Sequence, residues 1–505
     1  MSTPRHTTAT RSSIATAPVR KCSSLFLSST DFRERGTAAF EISLWSIIIC
    51  KNFRQDPITM TAKTSSPVRT KEADRTDDSK TIRVVFISLL LDLLAFTMIL
   101  PLFPALLDHY QSIDNGKGLY SIVLNKIHKL SSLLNAPDNV NTVLFGGFLG
   151  SLYSFLQFLG SPIIGALSDV YGRKPLMILC LTGIALSYLL WALSSNFGLF
   201  ILARVLGGIS KGNVNLSMAI ISDVTSPASR GRAMALVGIA FSVGFVLGPM
   251  IGAMFAKMST GSREGQWYAL PAMFAFFLSM CDLFYVAMHM KESLPIHRRA
   301  KSLVHGISGA LTYINPSDLF QFNGVTGLTP SELQRLRSLG RTYFLYLFIY
   351  SGLEFTLTFL THYSFGFTRM QQGWMFLGIG TTMAILQGSW IRRIPEHKTK
   401  AITELFVRLN YLIKRITLYI VNLKNMFFNA ATAMVVTCIM TLVTRVGPEN
   451  QKGIITGIFR SLGALARASG PIIASIAFWS LGSSTSYLIG AVALVVPPLI
   501  LRNIA

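Results

Sequence analysis

Charge is what this sequence has least of. Only 14% of its 505 residues are Asp, Glu, Lys or Arg, against about 25% in a soluble domain. Acids are scarcest, with 23 Asp and Glu beside 46 Lys and Arg. An ordinary solvated surface is thereby excluded. Cysteine is sparse as well. Cys22, Cys50, Cys180, Cys281 and Cys438 show neither metal-ligand nor disulfide-framework spacing. No metal site and no cofactor are expected. The chain has no Gly-x4-Gly-Lys-Ser/Thr loop, so any uphill work is expected to draw on an ion gradient rather than ATP. His-Glu-x-x-His is missing too, and an enzyme is not expected.

Apolar residues are abundant. They make up 51% of the chain, and mean hydropathy is +0.48. Apolar runs of about 20 residues recur, each able to cross a hydrocarbon core of about 30 Å. An all-α polytopic membrane protein follows. The net charge of +23 invites a nucleic-acid reading. The bases, however, lie in the amino-terminal tail and the loops, where membrane proteins keep cytoplasmic Lys and Arg. The expected partners are the bilayer and a small solute, with no nucleic acid.

Residues 1–80 read as a disordered basic tail. Arg5, Arg11, Arg20 and Lys21 precede the first acid, Asp31. That bias is shared with transit peptides, and Met60 is an alternative start. Six apolar spans fill 81–289: Val84–Leu107, Thr142–Ile164, Leu176–Leu193, Leu199–Ser222, Ala233–Phe255 and Trp267–His289. A polar linker covers 290–341, and 342–505 holds the second half. Its clear spans are Thr342–Phe365, Gln372–Trp390, Met426–Val443, Gly453–Leu481 and Ser486–Leu501. The position of a ninth span is atypical. Ala401–Lys424 carries Glu404, Arg408, Lys414, Arg415 and Lys424, each costing about 2.5–3.5 kcal/mol near the bilayer centre. Its apolar residues follow helical spacing, as in an interfacial helix. Eleven clear spans result. Bases after the second, fourth and sixth spans place those loops and the amino terminus on the cytoplasmic side.

Two spans look alike. One reads Gly238-x5-Gly244-x3-Gly248-Pro249, the other Gly457-x5-Gly463-x6-Gly470-Pro471. Two similar halves are expected, related by an axis along the membrane normal.

Gly165-Ala-Leu-Ser-Asp169-Val-Tyr-Gly172-Arg173-Lys174-Pro175 lies between the second and third spans. Gly165 and Gly172 are expected to make a tight turn there. Asp169 is expected to face the start of the eleventh span, near Gln451–Gly453. This stretch resembles the loop after the second helix of major facilitator superfamily transporters. Arg204-x3-Gly208-x3-Gly212 and Gly244-x3-Gly248-Pro249-x2-Gly252 resemble further motifs of the superfamily, the second that of its drug–proton antiporters. Pro249 is expected to bend its span, and the glycines to bring the fifth and eighth helices together. Other stretches, including Tyr350–His362 and Arg460–Ala468, are similar to the animal tetracycline transporter-like group. The resemblance implies two six-helix halves related by a pseudo-two-fold. It also implies an organic-anion or drug carrier in the plasma membrane or an internal membrane such as the nuclear envelope. It links Arg204 to proton coupling.

Charges within spans are costly, and so are functional candidates. Asp92 and Glu354 sit at similar depths in the first spans of the two halves and are the expected proton carriers. Lys211, Arg204, Arg460, Arg467 and His362 are the other candidates, for pairing or for attracting an anion. Asp223 and Asp282 lie nearer span ends, where reaching water is the expectation. The function expected is proton-coupled transport by a monomer through alternating access. The alternative is a non-transporting membrane adaptor on the same fold.

Overall fold

The computed structural model describes residues 68–114, 116, 118–134, 141–259, 267–299, 314–325, 327–389, 452–502 and isolated positions between 435 and 446. Most of the 1–80 tail, Ala401–Lys424 and most of Met426–Val443 lie outside them. Every regular element among the described residues is helical. Eight stretches are long and apolar enough to cross a membrane.

The first span is helix α1, Val68–Thr97, continued through a short 3-10 turn at Leu100–Leu102 into α2, Phe103–Ile113. The interruption falls at Pro101 and Pro104, which lack the N–H that a continuous helix needs. Helix α3, Leu119–Leu134, follows. Asp114 caps its entry, accepting from the backbone N–H of Gly118 and Ser121 at 2.8 Å each. Those bonds, Ser121 first, hold the Asp114 carboxyl below its ordinary value.

The second span, α4, runs Asn141–Tyr171, and the third, α5, Arg173–Ala192. Gly165 is therefore inside a helix, with open space where a Cβ would stand. The expected turn at Gly165 is absent, and Gly172 alone separates the two helices. The fourth span is broken into α6, Phe197–Ser210, and α7, Asn213–Val224. Helices α8, Pro227–Met258, and α9, Ala269–His289, complete the first half.

After a short α10, Pro316–Gln321, the second half opens with α11, Pro330–Phe359, extended by a π-helical turn at Leu360–Ser364. A reciprocal cap between Thr329 and Glu332 starts it. Arg335, Arg337 and Arg341, expected in the linker, therefore ride on the seventh-span helix. Helix α12 is Arg369–Ser389, and α13 is Lys452–Ala493. Gly482, at φ 78° and ψ 167°, divides α13 into the eleventh and twelfth spans. Helix α14, Val496–Arg502, ends the described chain.

Each half has its own apolar core. One gathers mainly residues from Val84 to Met290, with Phe359 and Phe478 added from the second half; the other gathers mainly Leu319 to Leu501, with Phe158 added from the first. The internal repeat is real in space. On α8, a Cβ at Gly248 would meet the Leu94 carbonyl of α1 at 2.9 Å. On α13, a Cβ at Gly470 would meet Phe348 and Ser351 of α11 more closely still. A hydroxyl bridges each pair: Thr97 donates to the Gly244 carbonyl at 2.8 Å, and Ser351 to that of Ala466 at 3.3 Å. The fifth helix thus packs on the first as the eleventh packs on the seventh.

Candidate functional site

The break in the fourth span supplies the central feature. Its helix stops at Ser210 and restarts at Asn213, so the backbone at Lys211–Gly212 turns both neighbouring side chains toward α1. Lys211 Nζ donates to the two carboxylate oxygens of Asp92 at 2.6 and 2.8 Å. Asn213 Nδ2 adds a third bond at 2.8 Å. Asp92 is 1% exposed, Lys211 3% and Asn213 0%. A buried pair of this kind persists only when its remaining hydrogen bonds are met, and Asn213 meets one of them. Sequence reasoning named Asp92 and Lys211 but missed Asn213. The signal available was Gly212, a helix breaker between two polar residues.

Aromatic rings extend the site. The Lys211 ammonium lies 4.7 Å from the Phe96 ring centre. Phe96 stacks on Tyr153 at 5.6 Å, and the Arg204 guanidinium sits 4.2 Å over Tyr153. Arg204 Nε is buried without a hydrogen-bond acceptor. Its charge is balanced by a ring face rather than a carboxylate.

Asp282 corrects an expectation. It does not reach water: it is 0% exposed on α9, and neither carboxyl oxygen meets hydrogen-bond geometry. Asp223 is bound as well, in the ion pair with Arg173 described below.

In the second half, Glu354 on α11 shares a side-chain hydrogen bond with Tyr350 and lies within electrostatic reach of Arg467 on α13. Arg460 and Arg467 both act on Tyr343. Arg467 is solvent-exposed, and Glu354 and Arg460 are partly so. These three are thus less enclosed than Asp92 and Lys211, which are sealed.

His362 stands apart from both groups. It lies on the π turn that ends the seventh span, with Nε2 3.0 Å from Asp108 Oδ2 at the end of the first. Tyr363 donates to the other oxygen of Asp108. Nearby, Phe103 meets Phe355 and Phe359 edge-on. Arg369 stacks over Trp267 at 3.7 Å, and the backbone N–H of Ile472 donates to Ser151 at 2.9 Å. All these contacts join one half to the other, on the face away from Arg173.

At the α4–α5 junction, Gly172 has φ 108°. A side chain is strained there, and a Cβ would also run into Glu292 and Arg299. Arg173 pairs with Asp169 at 2.7 Å and Asp223 at 3.0 Å, and donates to Ser168. Among the described residues Asp169 pairs with Arg173, four residues on; the Gln451–Gly453 side chains lie outside them. Glu292, from the chain after α9, accepts from the backbone N–H of Arg173 at 2.8 Å and of Lys174 at 3.2 Å. It caps α5 in place of a local residue and places a negative charge at its positive end. Arg299 holds it at 3.6 Å, and Lys174 Nζ donates to the Ala287 carbonyl. Glu292→Ala is expected to lower stability by about 1.5–3 kcal/mol, the worth of charge-assisted bonds. Thermal unfolding in detergent measures it.

The glycines on α8 meet a different neighbour from the one expected. Gly244, Gly248 and Gly252 face Leu93, Leu94 and Met98 of the first span, not the eighth span. The eighth span is admitted by its own Gly373 and Gly380, which abut Ala253 and Val246 of α8. On the fourth span, Gly208 and Gly212 lie against Leu156 and Ile164 of α4. Pro249 is accommodated inside α8, which runs unbroken past it.

The family model of the Major Facilitator Superfamily matches residues 85–471. Major facilitator superfamily domain-containing protein 10 of Bos taurus is 42% identical over 87% of this chain and 95% of its own length. Its Homo sapiens counterpart is 41% identical over 85% and 94%. Tetracycline resistance protein, class H, of Pasteurella multocida is 29% identical, over 36% of this chain and 39% of its own. Among solved structures, the human organic anion transporter MFSD10 (TETRAN) superposes with a TM-score of 0.70 at 40% identity, covering 84% of this chain and 99% of that one. The chain belongs to the major facilitator superfamily, a family of membrane carriers, and has its fold.

Proposed function

We propose that this superfamily member is a proton-coupled secondary transporter of organic anions or drug-like molecules, working by alternating access between two six-helix halves. One observation carries the reading: a fully buried Asp92–Lys211 pair, set at a break in a membrane helix. Discontinuous membrane helices are where carriers build coupling sites, and sealed ionisable groups in a membrane mark ion pathways. Protonation of Asp92 would release Lys211 and loosen the fourth span from the first. Glu354, in the equivalent helix of the second half, is the other proton carrier. Arg467 and Arg460 beside it, and Arg204, supply the positive charge that an organic anion needs. The name of the human relative in the solved structure, an organic anion transporter, agrees with that chemistry.

The contacts around His362 and Asp108 close the halves on one face. The ion pairs described for Arg173 and Glu292 join the first half to the start of the linker. The His362 contacts support a carrier closed on that face, with the Arg173 face, the cytoplasmic one by its bases, as the face that opens.

The test is flux in reconstituted vesicles under an imposed pH gradient, with fluorescein as anion probe and tetracycline as drug probe. Gradient-driven flux is expected for at least one. Asp92→Asn and Glu354→Gln should each drop it to the rate without a gradient. Unchanged flux in both variants removes the coupling roles. Wild-type protein without flux of either probe favours a non-transporting adaptor.

A further inference from the structure

Asp282 is the buried acid that the transport reading leaves unused. Its surroundings can be counted. Ser279 on its own helix and Ser88 on α1 present buried hydroxyls that also lack hydrogen-bond partners, and Ser88 faces the carboxyl. The charged groups acting on Asp282 are Asp92 and Lys211. Helix α9 packs on α5 and α8. From α5 come Cys180 and Tyr188, both coupled to Asp92. Among its described side chains, α8 offers a single titratable group, Lys257 at its far end. Arg204 is engaged by Tyr153.

One ammonium thus serves two carboxyls inside a membrane protein. With both ionised, the cluster carries a net negative charge, and one carboxylate has no hydrogen bond. Such a charge costs several kcal/mol even after relaxation. One added proton makes the cluster neutral. It does not belong on Asp92, whose oxygens accept three bonds that favour the ionised form. It belongs on Asp282, where the O–H has the idle hydroxyl of Ser88 to meet.

We propose that Asp282 is a second proton-binding site of the amino-terminal half, loaded in the state seen here, and that it shares Lys211 with Asp92. The step balances simply. When Asp92 takes up a proton, the Lys211 ammonium is freed to neutralise Asp282, which then releases its own proton. One proton enters and one leaves, and Lys211 keeps its charge throughout. The two carboxyls alternate, so the half never holds an uncompensated charge. The transport consequence rests on the proton-coupled reading above. The protonation state of Asp282 does not.

Infrared difference spectroscopy of the purified full-length protein reads protonated carboxyls directly, through their C=O stretch. At neutral pH a band is expected in the wild type and absent in Asp282→Asn, whose amide matches the neutral acid in shape. It should also be absent in Asp92→Asn, where Asp282 becomes the sole partner of Lys211. Ser88→Ala should keep the band but move its frequency. An unchanged band in Asp282→Asn overturns the proposal. If that variant does not fold, an unchanged frequency in Ser88→Ala overturns it. In vesicles, Asp282→Asn is expected to keep fluorescein exchange and lose gradient-driven accumulation. A wild type that shows the band without driven flux would sink the coupling reading alone, leaving the site in place.

Discussion

Lys211→Met is expected to destabilise the protein by about 3–5 kcal/mol at neutral or higher pH, the cost of leaving one member of a buried ion pair alone. Asp92 would keep the Asn213 bond and lose the two from Lys211. Asp92→Asn combined with Lys211→Met should recover most of the stability, since neither partner then leaves a charge behind. Thermal unfolding of the two single variants and the double variant, read as a double-mutant cycle, measures the coupling. Additive losses would show that the pair contributes no specific interaction.

The second large effect concerns close helix approach. Gly248→Ala and Gly252→Ala each put a methyl within 2.9 Å of backbone atoms of the first span, at Leu94 and Met98. Backbone cannot swing aside as a long side chain does. Overpacking of this kind costs about 1–3 kcal/mol per site, so the double variant should lose about 2–6. The separation of α1 and α8 would also shift the first span, and with it Asp92 relative to Lys211. Stability and gradient-driven flux should therefore fall together. Gly238→Ala is the control: it meets open space and should change neither. Equal behaviour of Gly238→Ala and Gly252→Ala would refute the packing role.

Spans one to eight could be read from the chain because lipid imposes a blunt condition. A helix that crosses must be apolar over about 20 residues, so the sequence shows its spans directly. Asp92, Lys211 and Glu354 stood out for the same reason: a charge within such a run is expensive and therefore conspicuous. Asn213 and Glu292 did not. Asn213 is an unremarkable polar residue, and Glu292 lies 119 residues from the helix it caps. Nothing local marks either. Asp282 was misplaced because distance along a helix from its end says little about what surrounds it. The α8 glycines were correctly read as a packing surface and assigned to the wrong neighbour, since a small-residue stripe does not name the helix that fills it.

Sequence alone thus determined the polytopic architecture, the repeat of Gly248-Pro249 in Gly470-Pro471, and the list of charges that a membrane must explain. Those are properties of a chain facing an apolar solvent, and they need no third dimension. Tertiary structure decided which charges meet. It joined Asp92 to Lys211 through a helix break, left Asp282 sealed and unbonded, and drew His362 across to Asp108. Burial and pairing depend on which helix lies alongside which, and that is settled by packing between segments far apart in the chain.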